Sequence, residues 1–208
     1  MKQLPILITL LSILLLPCVA HAAGPAAGRT GAPQTGLPEC EWCGADEAPA
    51  VLSWRTTIPR KGEPGKWLTI SGRVFKSDGK TPAAGVVLYV YQTNARGIYP
   101  KRGNETGNGK RHGYLRGWMK TGPDGRYQFT TIRPGPYPGR GEPAHIHLNV
   151  KPPGQEEYWL DSFHFSDDPL LTDDRRARLE NRGGSGILTL SRDSKGRLHG
   201  SRDIVLMK

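Results

Sequence analysis

Apolar and polar residues alternate with a period of two over several short stretches of this 208-residue chain. Residues two apart on a strand point to the same side. The pattern predicts strands at Leu68–Phe75, Val86–Gln92, Tyr127–Ile132, His145–Val150, Tyr158–Phe165, Ile187–Ser191 and Ile204–Met207. Ser77-Asp78-Gly79 precedes the second and Pro123-Asp124-Gly125 the third, and these are residues that tight turns favour. One helix is predicted, between Thr172 and Arg182. Thr172 is placed to cap it, Asp173 and Asp174 to complement its dipole, and Gly183 to stop it. Short punctuated strands with at most one short helix predict an all-β sandwich with long loops. The 27 glycines and 18 prolines favour the same class.

The strand at His145 carries the candidate chemistry. Ile146, Leu148 and Val150 share the face that supplies core, while His145, His147 and Asn149 share the other. Two imidazoles side by side form half of a metal site, or a structural pair. None of the three cysteines lies nearby to complete such a site. Two tyrosines stand in suitable places: Tyr99 follows a predicted strand, and Tyr137 sits in the stiff loop Pro134-Gly135-Pro136-Tyr137-Pro138. Two neutral imidazoles and two hard phenolates suit a hard trivalent cation better than zinc or copper. The Gly-, Lys- and Arg-rich stretch 94–117 is read as a structureless insertion that walls the site. His112 and Tyr114 within it are either groups that support the site or ordinary loop residues.

The chain's beginning predicts export. Lys2 is a positive n-region, Leu7–Leu16 an apolar h-region too short to span a bilayer, and Ala20-His21-Ala22 a small-x-small cleavage site. Residues 1–22 are assigned as a signal peptide, 23–66 as a flexible linker and irregular Cys-pair lead-in, and 67–208 as the domain. The mature protein is expected outside the cytoplasm, periplasmic or secreted, with no membrane span. There, Cys40 and Cys43 read as a structural disulfide. The net charge of +10 falls to about +9 without Lys2, which suits acidic aromatic substrates, anionic polymers or membranes, or simply a solubilising surface. The basic residues are dispersed, which argues against nucleic acid.

From about Leu68 to Met207 the chain resembles the intradiol ring-cleavage dioxygenases, the catechol and protocatechuate 3,4-dioxygenase superfamily. The matching stretches are Gly72-Arg73-Val74, Pro82-Ala83-Ala84-Gly85-Val86, Tyr91–Tyr99, Asp124–Phe129, Thr131–Pro138 and Pro143-Ala144-His145-Ile146-His147. The resemblance implies a β-sandwich with a non-haem ferric ion, Fe3+, held by Tyr99, Tyr137, His145 and His147. It implies an aromatic diol and O2 as reactants, cleavage between the hydroxyl-bearing carbons, and a muconate-type diacid product. Tyr137 is expected to leave the metal and help to accept a substrate proton. An arginine common in the family before Pro-Ala-His is Glu142 here, and Arg140, the nearest cation, is the candidate substitute. The family's glutamine on the next strand falls near Ser162. A signal, a Cys pair and one sandwich domain resemble an exported subgroup, and a homo-oligomer is compatible with it. The alternative is a non-catalytic binding module of the transthyretin or carboxypeptidase-regulatory type. Such modules share the patterns from Gly72 to Phe129 but give no reason for Tyr137, His145 and His147.

Overall fold

A computed structural model describes Cys40 and residues 42–208. The signal segment 1–22 and the linker after it, to Pro38, lie outside the described residues. Eleven strands form two sheets: β1 (Arg55–Thr57), β2 (Trp67–Phe75), β3 (Val87–Gln92), β4 (Arg116–Lys120), β5 (Arg126–Ile132), β6 (His145–Lys151), β7 (Tyr158–Phe165), β8 (Ile187–Leu188), β9 (Ser191–Arg192), β10 (Leu198–Ser201) and β11 (Ile204–Val205). One sheet has the order β1-β5-β2-β10-β9, with β11 also on β2. The other has the order β4-β3-β6-β7-β8.

Strict alternation packs the sheets face to face. Leu68, Ile70 and Val74 of β2 and Tyr127 and Phe129 of β5 meet Leu88 and Val90 of β3, Ile146, Leu148 and Val150 of β6, and Phe163 and Phe165 of β7 in one buried cluster. Phe129 and Phe163 meet edge-on across it, with ring centroids 5.6 Å apart. The residues between these inward positions form the outer face of the second sheet. It is aromatic and polar, and it carries Tyr89, Tyr91, His145, His147 and Asn149. The predicted division of β6 into a core face and a histidine face is therefore present.

The structure differs from the sequence expectations at four places. The lead-in is not irregular throughout: Ala45–Glu47 form a 3-10 turn, and Arg55–Thr57 pair in parallel with β5. The stretch 94–117 is not structureless, since Gly109–His112 form a short helix, α1, and β4 begins at Arg116. The predicted strand Ile187–Ser191 splits because the chain crosses from one sheet to the other. β8 pairs with β7, and β9 pairs with β10. The predicted helix is shortened to α2 (Asp173–Ala177), and Thr172 makes no side-chain cap bond. Few apolar residues hold this segment to the core, so little opposes its early end.

A candidate metal centre of two tyrosines and two histidines

The ligand loops are set by backbone contacts between two segments that leave the sheets side by side. Gln92, buried at the end of β3, donates to the Ile132 carbonyl and accepts from Thr131 Oγ1. Thr93 Oγ1 donates to the Gly135 carbonyl, and the Gly135 N–H donates to the Asn94 carbonyl. Asn94 then organises its own turn, its Oδ1 accepting from the N–H groups of Arg96 and Ile98. At Gly97, φ is +79° and any Cβ would collide with the Pro136 carbonyl. Only glycine lets the loop carrying Tyr99 approach the loop carrying Tyr137 so closely. Pro134, Pro136 and Pro138 fix φ along the second loop.

The result brings together the four side chains that the resemblance implies. Tyr99 Oη lies 2.5 Å from Tyr137 Oη, Tyr137 Oη 3.2 Å from His147 Nε2, and His147 Nε2 3.1 Å from His145 Nε2. The Nδ1–H of His145 donates to the Pro143 carbonyl at 2.8 Å, which leaves the Nε2 lone pair facing inward. Burial, then the neighbouring His145 ring, hold His147 neutral. Burial also raises both phenols above their ordinary pKa, Tyr99 furthest, with the Tyr137 bond adding to it. Two inward lone pairs and two phenol oxygens thus crowd one point that has no positive charge of its own. Such a donor set fits a hard trivalent cation, whose charge would favour the phenolate forms that burial disfavours. Among the described residues no group of three or more His, Cys, Asp or Glu side chains could hold a metal ion, so the phenols are essential to this set.

His147 also lines a cavity of about 580 Å³ together with Tyr91, Trp159, Ser162, His164 and Arg178. The β6–β7 pairing shifts register beside it, so that Asp161 and Ser162 of β7 together face the single position of His147. A bulge of this kind re-aims side chains next to a site. Ser162, where the family's glutamine was placed, therefore lies on the cavity wall. Arg140 is exposed, with its Cζ 5.7 Å from the Tyr137 ring centroid, and is not among the residues lining this cavity. The arginine on its wall is Arg178, at the C-terminal end of α2. Sequence reading passed over it, since only tertiary folding brings it to this wall. His112 packs behind the site, buried against Tyr91, whereas Tyr114 bonds Glu63. Cys40 and Cys43 are joined in a disulfide, with Cα atoms 5.2 Å apart, and Cys40 lines the cavity.

The family model Dioxygenase_C, described as Dioxygenase, matches residues 50–183. The chain belongs to this family, within the intradiol dioxygenase superfamily. It is 32% identical over 122 residues to the protocatechuate 3,4-dioxygenase beta chain of Burkholderia cepacia, covering 55% of this chain and 52% of that one. It is 34% identical over 123 residues to catechol 1,2-dioxygenase 1 of Acinetobacter lwoffii, covering 51% and 38%. The chain thus spans about half or less of the length of these curated relatives. Among solved structures, the dioxygenase domain of a dioxygenase carbohydrate-binding protein fusion from Streptomyces sp. SirexAA-E superposes with a TM-score of 0.56 at 28% identity, covering 76% of this chain and 90% of that one. 3-Chlorocatechol 1,2-dioxygenase from Rhodococcus opacus 1CP gives 0.57 at 24% identity, covering 72% and 64%, and supports the fold alone.

Proposed function

We propose that this chain is an exported, ferric iron-dependent intradiol dioxygenase that opens a catechol-type ring between its two hydroxyl-bearing carbons. The observation that carries the reading is the chain of contacts of 2.5–3.2 Å from Tyr99 to Tyr137, Tyr137 to His147 and His147 to His145, beside a cavity that His147 shares. When bound there, ferric iron would supply Lewis acidity toward a diol and activate the ring toward O2 without an external reductant.

This chain's residues have separable tasks. His145, fixed through its Nδ1–H bond, and Tyr99, gripped by the Gly97 turn, anchor the centre. Tyr137 touches both Tyr99 and His147 and is the group placed to take a proton from an incoming diol. Arg178 offers positive charge from the cavity wall, and Arg140 offers it from behind the Tyr137 ring. A non-catalytic sandwich module gives no reason for four such donors at one point.

Export rests on Lys2, Leu7–Leu16 and Ala20-His21-Ala22 and accords with the disulfide, which an oxidising compartment favours. Among the described residues no helix is long and apolar enough to cross a membrane.

The experiment is purification of exported, iron-replete protein, followed by elemental analysis, a visible spectrum, and oxygen uptake on a panel of catechols with product identification. Near-stoichiometric iron, a ferric-tyrosinate absorption band and muconate-type products are expected. Full zinc or copper occupancy, or extradiol semialdehyde products, would sink the reading.

A further inference from the structure

The cavity beside His147 is much larger than one catechol requires. An apolar cavity of about 150 Å³ suffices for a benzene ring, whereas this one encloses about 580 Å³. Its wall away from the candidate metal centre is aromatic, with Trp42 and Trp159 both contributing. The Trp159 face is taken, since the Arg182 guanidinium lies 3.9 Å from its ring centroid and pairs with Glu180. Trp42, at 39% exposed, is one of three large apolar side chains left open to solvent among the described residues.

Trp42 also borders an open surface groove that carries Lys101, Lys110 and Arg111. The Arg111 guanidinium lies 3.0 Å from the Trp42 ring centroid and covers one face of that ring, but Arg111 is not among the residues lining the inner cavity, so the Trp42 surface presented there is not covered by it. None of these three cations forms an ion pair among the described residues, and neither does Arg178 in the inner cavity. The acids of the inner cavity are engaged: Asp161 accepts the Asn181 N–H, and Glu180 pairs with Arg182. Trp42, which borders both, thus joins aromatic surface on the side of His147 to cations without ion-pair partners on the other. This is the complement of a second aromatic ring followed by a carboxylate.

We propose that the substrate is an extended catechol, in which a diol-bearing ring is joined to a second aromatic unit that carries a carboxylate. The diol ring occupies the cavity beside His147. Trp42 holds the second unit, and Lys101, Lys110 and Arg111 hold its carboxylate. The inference rests on the ring-cleavage reading and names the substrate class of that site.

The test is anaerobic binding to the iron-loaded, exported protein. The probes are catechol, rosmarinate (a caffeoyl diol esterified to a dihydroxyphenyllactate unit, whose ring is a second diol and whose side chain carries the carboxylate), rosmarinate methyl ester, and the rosmarinate ether whose phenols are all methylated. Diols are followed by the visible band and the ether by tryptophan fluorescence. At low salt, rosmarinate should bind about tenfold tighter than catechol, and the ester should lose most of that margin. Trp42→Ala and the surface double variant Lys101→Glu/Lys110→Glu should each bring the rosmarinate-to-catechol ratio close to one. Equal affinity in the unaltered protein, or a ratio that neither variant moves, would overturn the inference while leaving ring cleavage intact. If no diol changes the colour, the ring-cleavage reading fails instead. The ether then decides the outer site alone: quenching lost in Trp42→Ala supports it, and no quenching overturns it.

Discussion

The imidazole of His147 lies face to face with the phenol ring of Tyr91, ring centroids 4.3 Å apart and planes 13° from parallel. The two residues are register partners on β6 and β3, so the sheet itself creates the stack. A second imidazole, His112, stacks on the same tyrosine at 3.6 Å and 7°. Tyr91 is thus the support that sets the plane of a candidate metal ligand.

Tyr91→Phe keeps the ring and should keep iron occupancy near that of the unaltered protein. Tyr91→Ala removes the ring and should cost about 3–5 kcal/mol, as buried aromatic truncations do. Folded Tyr91→Ala should also bind iron about tenfold more weakly, the scale expected when a ligand loses its support. Urea denaturation and elemental analysis of the folded fraction check both outcomes. Equal iron affinity in the two variants would deny Tyr91 a positioning role.

His112 gives the protein an acid sensitivity of definite sign. Burial, with help from the charge of Arg116, lowers its pKa to about 4. Its Nδ1 meets Tyr89 Oη at 2.8 Å, and its buried Nε2 has no hydrogen-bond partner among the described residues. Above the ordinary histidine pKa of about 6.5 both states are neutral. As pH falls below that value the unfolded chain takes up the proton first, so stability drops until the folded pKa near 4 is passed. His164, also lowered to about 4, acts in the same direction. His112→Gln leaves a polar partner for Tyr89 and should flatten the loss between pH 7 and 4.5, on the order of 1 kcal/mol once solvent screening is allowed for. Urea midpoints at the two pH values measure it, and parallel pH profiles would refute it.

Much of the sandwich was legible because its strands obey a period of two against a continuous core. Tyr158–Phe165 was read to the residue, and β6 split into its two faces as the alternation requires. What was missed has a physical reason in each case. β1 is short and pairs in parallel with the distant β5, and such pairing leaves no local turn signal. β9 and β10 do flank a local turn, residues 193–196, but they are too short and too exposed at β9 to show an alternating pattern. β4 lies in a stretch of Gly, Lys and Arg, where Trp118 faces the outer aromatic cluster instead of a core. The four candidate ligands were legible through family spacing, whereas Arg178 and Trp42 reach the cavity only through tertiary folding.

Arg202 is a buried charge whose removal should be felt through the whole second half of the fold. Its guanidinium donates to the carbonyls of Asp161, Arg182 and Gly184, at 2.6, 3.1 and 3.1 Å. Its own carbonyl accepts the Tyr127 hydroxyl at 2.7 Å and would be struck by any Cβ placed at Gly72. Arg202→Met preserves bulk but leaves three carbonyls short of donors, and should cost about 3 kcal/mol or more. Arg202→Lys cannot span the fork and should recover less than half of that loss. Thermal and urea unfolding of the two variants decide the matter, and a loss below about 1 kcal/mol in Arg202→Met would show the network to be dispensable.

The two candidate tyrosine ligands should behave differently because they are held differently. Tyr99 follows the Gly97 turn, which the Asn94 side chain and the Pro136 carbonyl pack from two sides. Tyr137 stands on the proline loop with its ring half-buried, and its hydroxyl meets both Tyr99 and His147. Loss of either hydroxyl removes one hydrogen bond, about 0.5–1.5 kcal/mol, so both Phe variants should fold. Tyr137→Phe should retain substantial iron, because three protein ligands remain. Its resting visible spectrum should change, and anaerobic catechol binding should slow, because the group placed to take the diol proton is gone. Tyr99→Phe should also alter the resting spectrum, but its defect should persist after catechol has bound, because the tyrosine it replaces is expected to stay in place throughout. Stopped-flow spectra of the two variants with one active catechol make the comparison. Unchanged resting colour together with unchanged binding kinetics in Tyr137→Phe would remove Tyr137 from the centre.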